Sequence, residues 1–511
     1  MAKELEPKEF YNNGITDRQP FIDRAIRNAE LTLPYLIRDN GTGTDAMKDK
    51  YGQSFGGRAV NSLKAKIGMA LFPPASSSFR LDPTAEQLEA AGIDIQVASE
   101  EEVAEDDARA AIYSTISRAT GSINKEIDSQ SIRDTMFEVI AQELVVGSVI
   151  VEKVKGDGVR YHPLDSFVVK LDNRGRALCM CIVETLYELP VGFESLEDDK
   201  TEEYELYTMI KKVNGEEKWE VTQQIDDFIL PKTITYTTDK LPFKYTGWNY
   251  MVGDAYHRPY VDDYYEDLRQ FSSLSHSITD GSIAAAKTLI LVDERNGRTF
   301  AKDIDESDNL DVVIGKEDDI GVFQLGKNYD FQFSMDTKAE LKRDIAAAFL
   351  MNESATREAE RVTAAEIQFL AQELETTSLA GTYSKLSESL VKWNIHQVMN
   401  EMGLTFKELG VKIVVGLDAL GRSNEARGLD AFVQTIVGVG AGNRLNSDEL
   451  TNRYASFYGI DTTGLLKTNT QIAKEQQAQQ AQQQEAMLGE EGAKSAGQEA
   501  GKAVVANAQQ Q

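Results

Sequence analysis

Cysteine is scarce in this chain. Cys179 and Cys181 are the only two among 511 residues, so no disulfide framework holds it, and stability must come from packing or assembly. Histidine is scarce as well: His162, His257, His276 and His396 are the only four, and they are scattered. No apolar run approaches the roughly 18–20 residues that a membrane-spanning helix needs. The longest, such as Phe432 to Val439, are short and interrupted by glycine. The amino-terminal stretch MAKELEPKEFYNN has no apolar core behind its first lysine, so it does not read as a secretory signal, and a cytosol-like compartment is expected. Basic residues are outnumbered, 54 Lys and Arg against 83 Asp and Glu, for a formal charge of −29. Proteins that grip nucleic acid or anionic membrane electrostatically are usually basic, and this one is not. No internal repeat is visible.

Hydrophobic residues make up 41% of the chain, enough for sizeable cores, and the length suits about two to four domains. Helical spacing runs through residues 17–38 (Phe21, Ile22, Ala25, Ile26, Ala29) and meets a glycine-rich loop at Asn40–Gly43. A second helix is expected from Gly57 to Leu71, with Val60, Leu63, Ile67 and Leu71 as its stripe, Arg58, Lys64 and Lys66 off it, and Phe72-Pro73-Pro74 ending it. Residues 75–100 read as a surface segment with one short helix. Helices over 101–126 and 129–146 follow.

The period then changes to that of strands at 147–154, 165–171, 176–186, 203–212 and 217–224. Asn173-Arg174-Gly175 and Asn214-Gly215 mark turns. The nearly all-apolar run from Arg176 to Leu186 suits a strand buried on both faces. From Asp254, a plausible N-cap with Pro259 in the first turn, a helix of roughly 33 residues would run to Lys287 and span about 50 Å. Its apolar positions are sparse and spread, so it lacks one broad face to bury against its own domain.

Residues 288–331 form a small strand-rich insert (289–292, 310–314, 320–325). It is acidic at Asp305, Glu306, Asp308, Asp311, Glu317, Asp318 and Asp319. A helix from Lys338 to Met351, a charged stretch NESATREAER at 352–361, and a long helical segment from Val362 to Met402 with a break at Gly381 come next. A short strand at 411–416 and further helices to Tyr458 precede a Gln/Ala-rich tail with almost nothing to bury.

Motifs for chemistry fail on context. Gly52-Gln53-Ser54-Phe55-Gly56 matches G-x-S-x-G, but Asp45 to Tyr51 before it is polar and charged, not the strand that a nucleophile elbow needs. Gly315-Lys316 lacks the rest of a P-loop, and Asn40-Gly41-Thr42-Gly43 lacks the third glycine of a dinucleotide fingerprint. Cys179 and Cys181 share one face of a strand with no histidine or second cysteine pair nearby, so they read as buried small hydrophobes. Asp262, Asp263, Glu266 and Asp267 could collect a hard cation, or form a solvated or inter-chain salt-bridged face. Lys338, Lys342 and Arg343 fall broadly on one side of a helix, and Arg357 and Arg361 flank the charged stretch. Solvation, ion pairing with a neighbour and DNA-backbone contact all remain open for them. No catalytic, cofactor or metal site emerges.

The order of elements and several local sequences point further. GRAVNSLKAKIGMALFP at 57–73, LVVGSVIVE at 144–152 and LDSFVVKLDNRGRAL at 164–178 resemble the portal (head-to-tail connector) family of short-tailed, autographivirus-type bacteriophages. So do AFLMNESATREAERVTAAEIQFLAQELE at 348–375, GLDALGR at 416–422 and YGIDTTGLLKT at 458–468. The most specific stretch is ERVTAAEI, Glu360 to Ile367.

The resemblance implies an α+β, predominantly helical portal fold assembling as a ring, usually a dodecamer. It implies a wing at 1–254, a first stem helix at 255–287, a clip at 288–332 and a second stem helix at 333–351. A channel loop and wing helix at 352–379, a crown at 380–470 and a flexible tail at 471–511 would follow. Lys338, Lys342, Arg343, Arg357 and Arg361 become DNA-channel candidates, and the seven insert acids become clip candidates. The implied partners are further copies of the chain, double-stranded DNA, the terminase large subunit, major capsid and scaffolding proteins, tail adaptors and internal core proteins. No membrane, cofactor or covalent chemistry is implied. The protein would be assembled in the host cytoplasm and reside at the capsid portal vertex. Another ring-forming head–tail adaptor, or a hydrolase using the Ser54 loop, are the rival readings. Under the first reading the acidity changes meaning: a wall that must let DNA slide should not hold it tightly.

Overall fold

A computed structural model of the chain describes residues 6–37, 53–73, 77–83, 102–190, 192–193, 203–213, 217–231, 233–286, 289–292, 320–323, 328–351, 369, 372–374, 381–404, 411–416, 422–442, 445, 450–451 and 454. It is an α+β protein that divides into two compact units. The first comprises Met1–Ser78, Glu126–Met402 and Val415–Leu417; the second comprises Phe79–Lys125, Gly403–Val414 and Asp418–Gln511.

The first helix, α1 (Pro7–Leu31), starts ten residues before the expected boundary at 17. Its opening turns, PKEFYNNGIT, are poor in helix formers, and tertiary contacts override that weak propensity. Phe10 and Tyr11 pack on the buried cluster of Cys179, Cys181, Tyr207 and Met209. The buried Arg18 donates to the Phe167 carbonyl at 2.8 Å. Helix α2 (Phe55–Leu71) forms as expected, and Val60, Leu63, Ile67 and Leu71 are buried. Lys66 was placed off the stripe but is buried too, with its ammonium 3.5 Å from Glu373. Strand β1 (Phe79–Pro83) replaces the expected surface segment at its start. Helices α3 (Glu102–Ser129) and α4 (Ile132–Val145) lie close to the expected 101–126 and 129–146. On α4 Met136, Val139, Ile140, Leu144 and Val145 are fully buried, and from Val139 to Val145 the helix is enclosed on all sides, while Asp134 is exposed.

Two antiparallel sheets follow. In the three-stranded sheet β2 (Ser148–Val154) is central, between β3 (Gly158–His162) and a later strand at Phe243–Gly247. The six-stranded sheet runs β4 (Phe167–Leu171), β5 (Ala177–Leu186), β6 (Tyr204–Lys212), β7 (Lys218–Ile225) and β8 (Phe228–Ile229), with β9 (Ile234–Thr237) also paired to β7. The strand at Phe243–Gly247 is β10. Strands β3, β8, β9 and β10 were not expected: they are short, and β9 is largely exposed, so no clear alternation marks them. Only the middle of β5, Cys179 to Ile182, is buried on both faces, and Leu178 is exposed. The Asn214-Gly215 turn lies outside the described residues, but its strands pair as expected, with Lys212 opposite Trp219.

Asp254 does not cap a helix. Its carboxylate is engaged by Arg258 at 2.8 Å, and a backbone bridge between Asn249 and Arg258 keeps the chain extended there. The chain enters a 3-10 turn at Tyr260–Tyr264 and then α5 (Tyr265–Ala286), 22 residues or about 33 Å rather than 50 Å. Strands β11 (Leu289–Val292) and β12 (Ile320–Phe323) pair antiparallel, Leu289 opposite Phe323. The intervening 310–314 strand lies outside the described residues. Helix α6 (Asn328–Ala348) begins ten residues before the expected Lys338.

Gly381 stands with φ 83° at the start of α7 (Thr382–Leu386), so the break expected there is present. A π-helical turn at Ser387–Val391 leads into α8 (Lys392–Glu401), and Leu386, Leu390 and Trp393 are buried as a packing face. In the second unit β1 pairs with β13 (Val411–Val415), and α9 (Arg422–Gly438) follows. The stretch at 352–361 and the Gln-rich tail lie outside the described residues.

A buried polar ring ties β2 and β10 to the segment before the 3-10 turn. The His257 N–H donates to Ser148 Oγ at 3.0 Å, the Ser148 and Tyr245 hydroxyls share a hydrogen bond at 3.0 Å, and the Tyr245 hydroxyl and His257 Nδ1 share one at 2.9 Å. Burial, with the Lys385 charge adding to it, pushes His257 down to about 3. Beside it Glu143 Oε1 accepts from Thr246 at 2.6 Å while Oε2 has no partner. Burial lifts the Glu143 carboxyl to about 7, against the Thr246 hydrogen bond and the Lys385 charge.

A carboxyl whose folded value lies above its unfolded one binds extra protons when folded, so its contribution to stability is present at low pH and lost as pH rises from about 4.5 to about 7. Thermal melts of wild type and Glu143→Gln should therefore coincide most closely near pH 5, with the wild type falling relative to the variant toward pH 8. A pH-independent difference would show that Glu143 stays ionised throughout.

Candidate functional site

The paired helices α5 and α6 carry the residues singled out for function. They run antiparallel. Tyr260, just before α5, donates to the Ala348 carbonyl at 2.8 Å, while further along the Lys338 ammonium sits 5.2 Å from the centre of the Phe271 ring. Tyr260 and Tyr264 stack edge-on against Phe349 at 5.3 and 5.5 Å. Near this end the pair is sealed, with Leu268, Phe271, Ile345 and Phe349 buried. Toward β11 and β12 it is open: Ile283, Phe333 and Met335 are 55%, 75% and 57% exposed.

The five basic candidates separate into three kinds. Lys338 is half-buried over Phe271. Lys342 and Arg343 are exposed, and Arg343 donates to the Ala339 carbonyl of its own helix. Arg357 and Arg361 lie outside the described residues, as do all seven insert acids, Asp305, Glu306, Asp308, Asp311, Glu317, Asp318 and Asp319. Asp336, Glu340 and Asp344 interleave with the basic residues on exposed positions of α6, so this helix presents mixed charge, not a basic stripe.

The acidic positions at the start of α5 are divided among partners of the same chain. Asp262 faces Arg24 at 3.7 Å and Glu266 pairs with Arg269 at 2.6 Å. Burial and then the Asp262 charge lift Asp263. This cluster is not arranged around a common cation position.

The serine loop has a structural explanation. Gln53 donates to the Leu31 carbonyl at 3.0 Å and accepts from the Gly56 N–H at 2.8 Å, tying α2 to the end of α1. A Cβ on Gly56 would lie 2.1 Å from the Leu31 oxygen, so that glycine permits close backbone approach. Cys179 and Cys181 are buried free thiols, as expected. Burial lifts Cys179 to about 11 and Cys181 further, and Cys181 donates to the Pro7 carbonyl at 3.4 Å.

One cluster escaped the sequence. Glu152, His162 and Glu184 come from three strands, with no motif spacing to announce them, and meet with potential ligand atoms within 4.8 Å of one another. Arg160 spans the two carboxylates, 2.7 Å from each. Burial would raise the Glu152 carboxyl, but hydrogen bonds from His162 and Arg160 outweigh it and hold the group below the ordinary range.

Comparison with known proteins decides the assignment. The family model described as bacteriophage head to tail connecting protein matches residues 8–466. The chain belongs to that family. It is a head-to-tail connector. It is 28% identical over 500 residues to the portal protein of Escherichia phage T7, covering 93% of this chain and 90% of that one. To the portal protein of Enterobacteria phage T3 it is 26% identical over 498 residues, covering 91% and 88%. To that of Enterobacteria phage SP6 it is 28% identical over 433 residues, covering 82% and 80%. Among solved structures, a chain from the neck of an empty gene transfer agent (GTA) particle matches at 14% identity and a TM-score of 0.38, over 82% of this chain and 94% of that one. A superposition that loose adds nothing to the fold described above. Among the described residues no helix is long and apolar enough to cross a membrane.

The environment of Lys338 predicts a structural role. Lys338→Glu should lower the melting temperature, losing a cation–π contact worth about 0.5–2 kcal/mol, whereas Lys342→Glu should stay within about 0.5 kcal/mol of wild type. Equal effects in paired melts would show that the Phe271 contact is not formed.

Proposed function

We propose that this connector works as a ring, usually a dodecamer, in which the α5–α6 pairs of neighbouring copies stand side by side around a DNA path. The observation that carries the reading is the open end of the pair. Ile283, Phe333 and Met335 are left exposed by their own chain, and large apolar side chains on adjoining helices are covered most economically by a second copy of the same surface. In this reading residues 255–287 and 333–351 are stem helices and 288–332 form the clip. Residues 1–254 are the wing and 380–470 the crown, while the charged stretch at 352–361 projects into the bore. The ring nucleates head assembly with capsid and scaffolding proteins, docks the terminase at the clip and passes double-stranded DNA inward. Later it joins the tail adaptors and releases the genome. It performs no covalent chemistry.

Duplex DNA carries about one charge per 1.7 Å of its axis, so a strongly basic wall would hold it. A chain of formal charge −29 with a few basic positions among acids permits weak contact and sliding. Lys342 and Arg343 are the described positions suited to that contact.

Negative-stain images and native mass of the purified chain should show a ring with a central hole, and a monomer would overturn the proposal. Particles built with Lys342→Glu and Arg343→Glu together should assemble normally but retain less packaged DNA. Unchanged retention would remove these residues from the DNA path.

A further inference from the structure

The cluster of Glu152, His162 and Glu184 has no part in the stem, and its geometry suggests a separate property. Glu152 lies on β2 and His162 on its hairpin partner β3, where the register sets Ile150 opposite His162 and Glu152 opposite Arg160. Glu184 lies on β5, in the other sheet. The three side chains therefore meet where the two sheets come together. His162 Nε2 is 2.9 Å from Glu152 Oε2, and His162 Nδ1 is 3.8 Å from Glu184 Oε1. The side chains of His162, Glu152 and Glu184 are 6%, 15% and 20% exposed, so the site is largely shielded from water.

We propose that Glu152, His162 and Glu184 bind one divalent transition-metal ion of the zinc type, which cross-links the two sheets. Ligand atoms around a tetrahedral zinc, at bond lengths near 2.05 Å, lie about 3.3 Å apart. The 2.9 and 3.8 Å separations run to different ring nitrogens, of which an ion takes one; the potential ligand atoms lie within 4.8 Å of one another, so the carboxylates must close around that nitrogen by up to about 1.5 Å to reach the spacing of a tetrahedral zinc. The donor set of one imidazole and two carboxylates suits zinc, with a fourth position left to water.

Arg160 is the counter-argument and also the lever. Its guanidinium already bridges both carboxylates and directs its hydrogen bonds to them, yet one positive charge against two negative ones leaves the cluster short. Its side chain is 48% exposed, far more than the three ligands. It can swing into solvent without a large desolvation cost when a dication arrives. Arg160 is thus the displaceable cation that keeps two buried carboxylates together in the absence of metal.

The test uses the full-length protein, stripped with chelator and titrated with Zn²⁺ by calorimetry. One ion per chain should bind. His162→Ala and Glu184→Gln should each weaken binding on the order of tenfold or more, while Arg160→Ala should bind at least as tightly as wild type because its competing cation is gone. Absence of stoichiometric uptake would overturn the proposal. So would undiminished uptake in the His162→Ala/Glu184→Gln double variant, or loss of uptake in Arg160→Ala, which would mark the cluster as an ion-pair network only. Should a ligand variant fail to fold, cobalt(II) loading of the wild type decides the matter. An intense visible band of tetrahedral cobalt supports the site, and the weak spectrum of hydrated cobalt excludes it.

Discussion

Enclosure of α4 is the constraint on which the first unit depends. A helix in which Met136, Val139, Ile140, Leu144 and Val145 are all fully buried has no solvent face over its second half, and burying each such side chain is worth about 1.5–3 kcal/mol. Everything around it serves to cover it. Helix α2 supplies Lys64 to Glu138 at 3.1 Å, and Gly68 gives room to the Phe137 ring. Gln142 reaches the Leu36 carbonyl at 3.0 Å, and Asn394 of α8 lies 3.2 Å from the Met136 sulfur. The chain leaves α4 through Gly147, whose φ of 100° and close approach to the His257 carbonyl exclude a side chain. The Ser148–Tyr245–His257 ring then fixes how β2 and β10 meet that exit.

That enclosed core is also what anchors the helix pair. Lys385 donates to the Gly247 and Trp248 carbonyls at 3.0 and 2.6 Å. Trp248 stacks on Tyr260 at 5.4 Å, and Tyr260 in turn binds the end of α6. A continuous run of contacts therefore leads from the buried helix to the base of α5 and α6, while their far halves stay uncovered. Among the described residues the pair is thus sealed at one end and exposed at the other, at Ile283, Phe333 and Met335, which is the ground for the proposed assembly.

Much of this was legible in the sequence, for identifiable reasons. Helix α2 announced itself because its apolar residues recur at helical spacing, and β6 and β7 because Asn214-Gly215 marks the turn between them. The break at Gly381 followed from the residue itself. The early starts of α1 and α6 were not legible: Tyr11 and Arg18 are held by residues far along the chain, and Phe333 and Met335 are mostly exposed, so no buried stripe marks that turn. Asp254 misled because Arg258, four residues on, claims the carboxylate that a helix start would have used. Family membership was legible in the ordered motifs, above all around Glu360 to Ile367. The side-chain roles were not. Lys338 and Lys342 look equivalent in sequence, and only Phe271 from the opposite helix tells them apart. Glu152, His162 and Glu184 are joined only by the meeting of two sheets.

The account stands or falls on whether the open end of the helix pair is covered in the working assembly. Hydroxyl-radical footprinting read by mass spectrometry measures this directly, with Met251, 50% exposed on a loop, as the internal reference. In the assembled protein Met335 and Phe333 should be strongly protected relative to Met251, and should lose that protection when the assembly is dissociated. Oxidation of Met335 as fast as Met251 in the intact assembly would contradict the account.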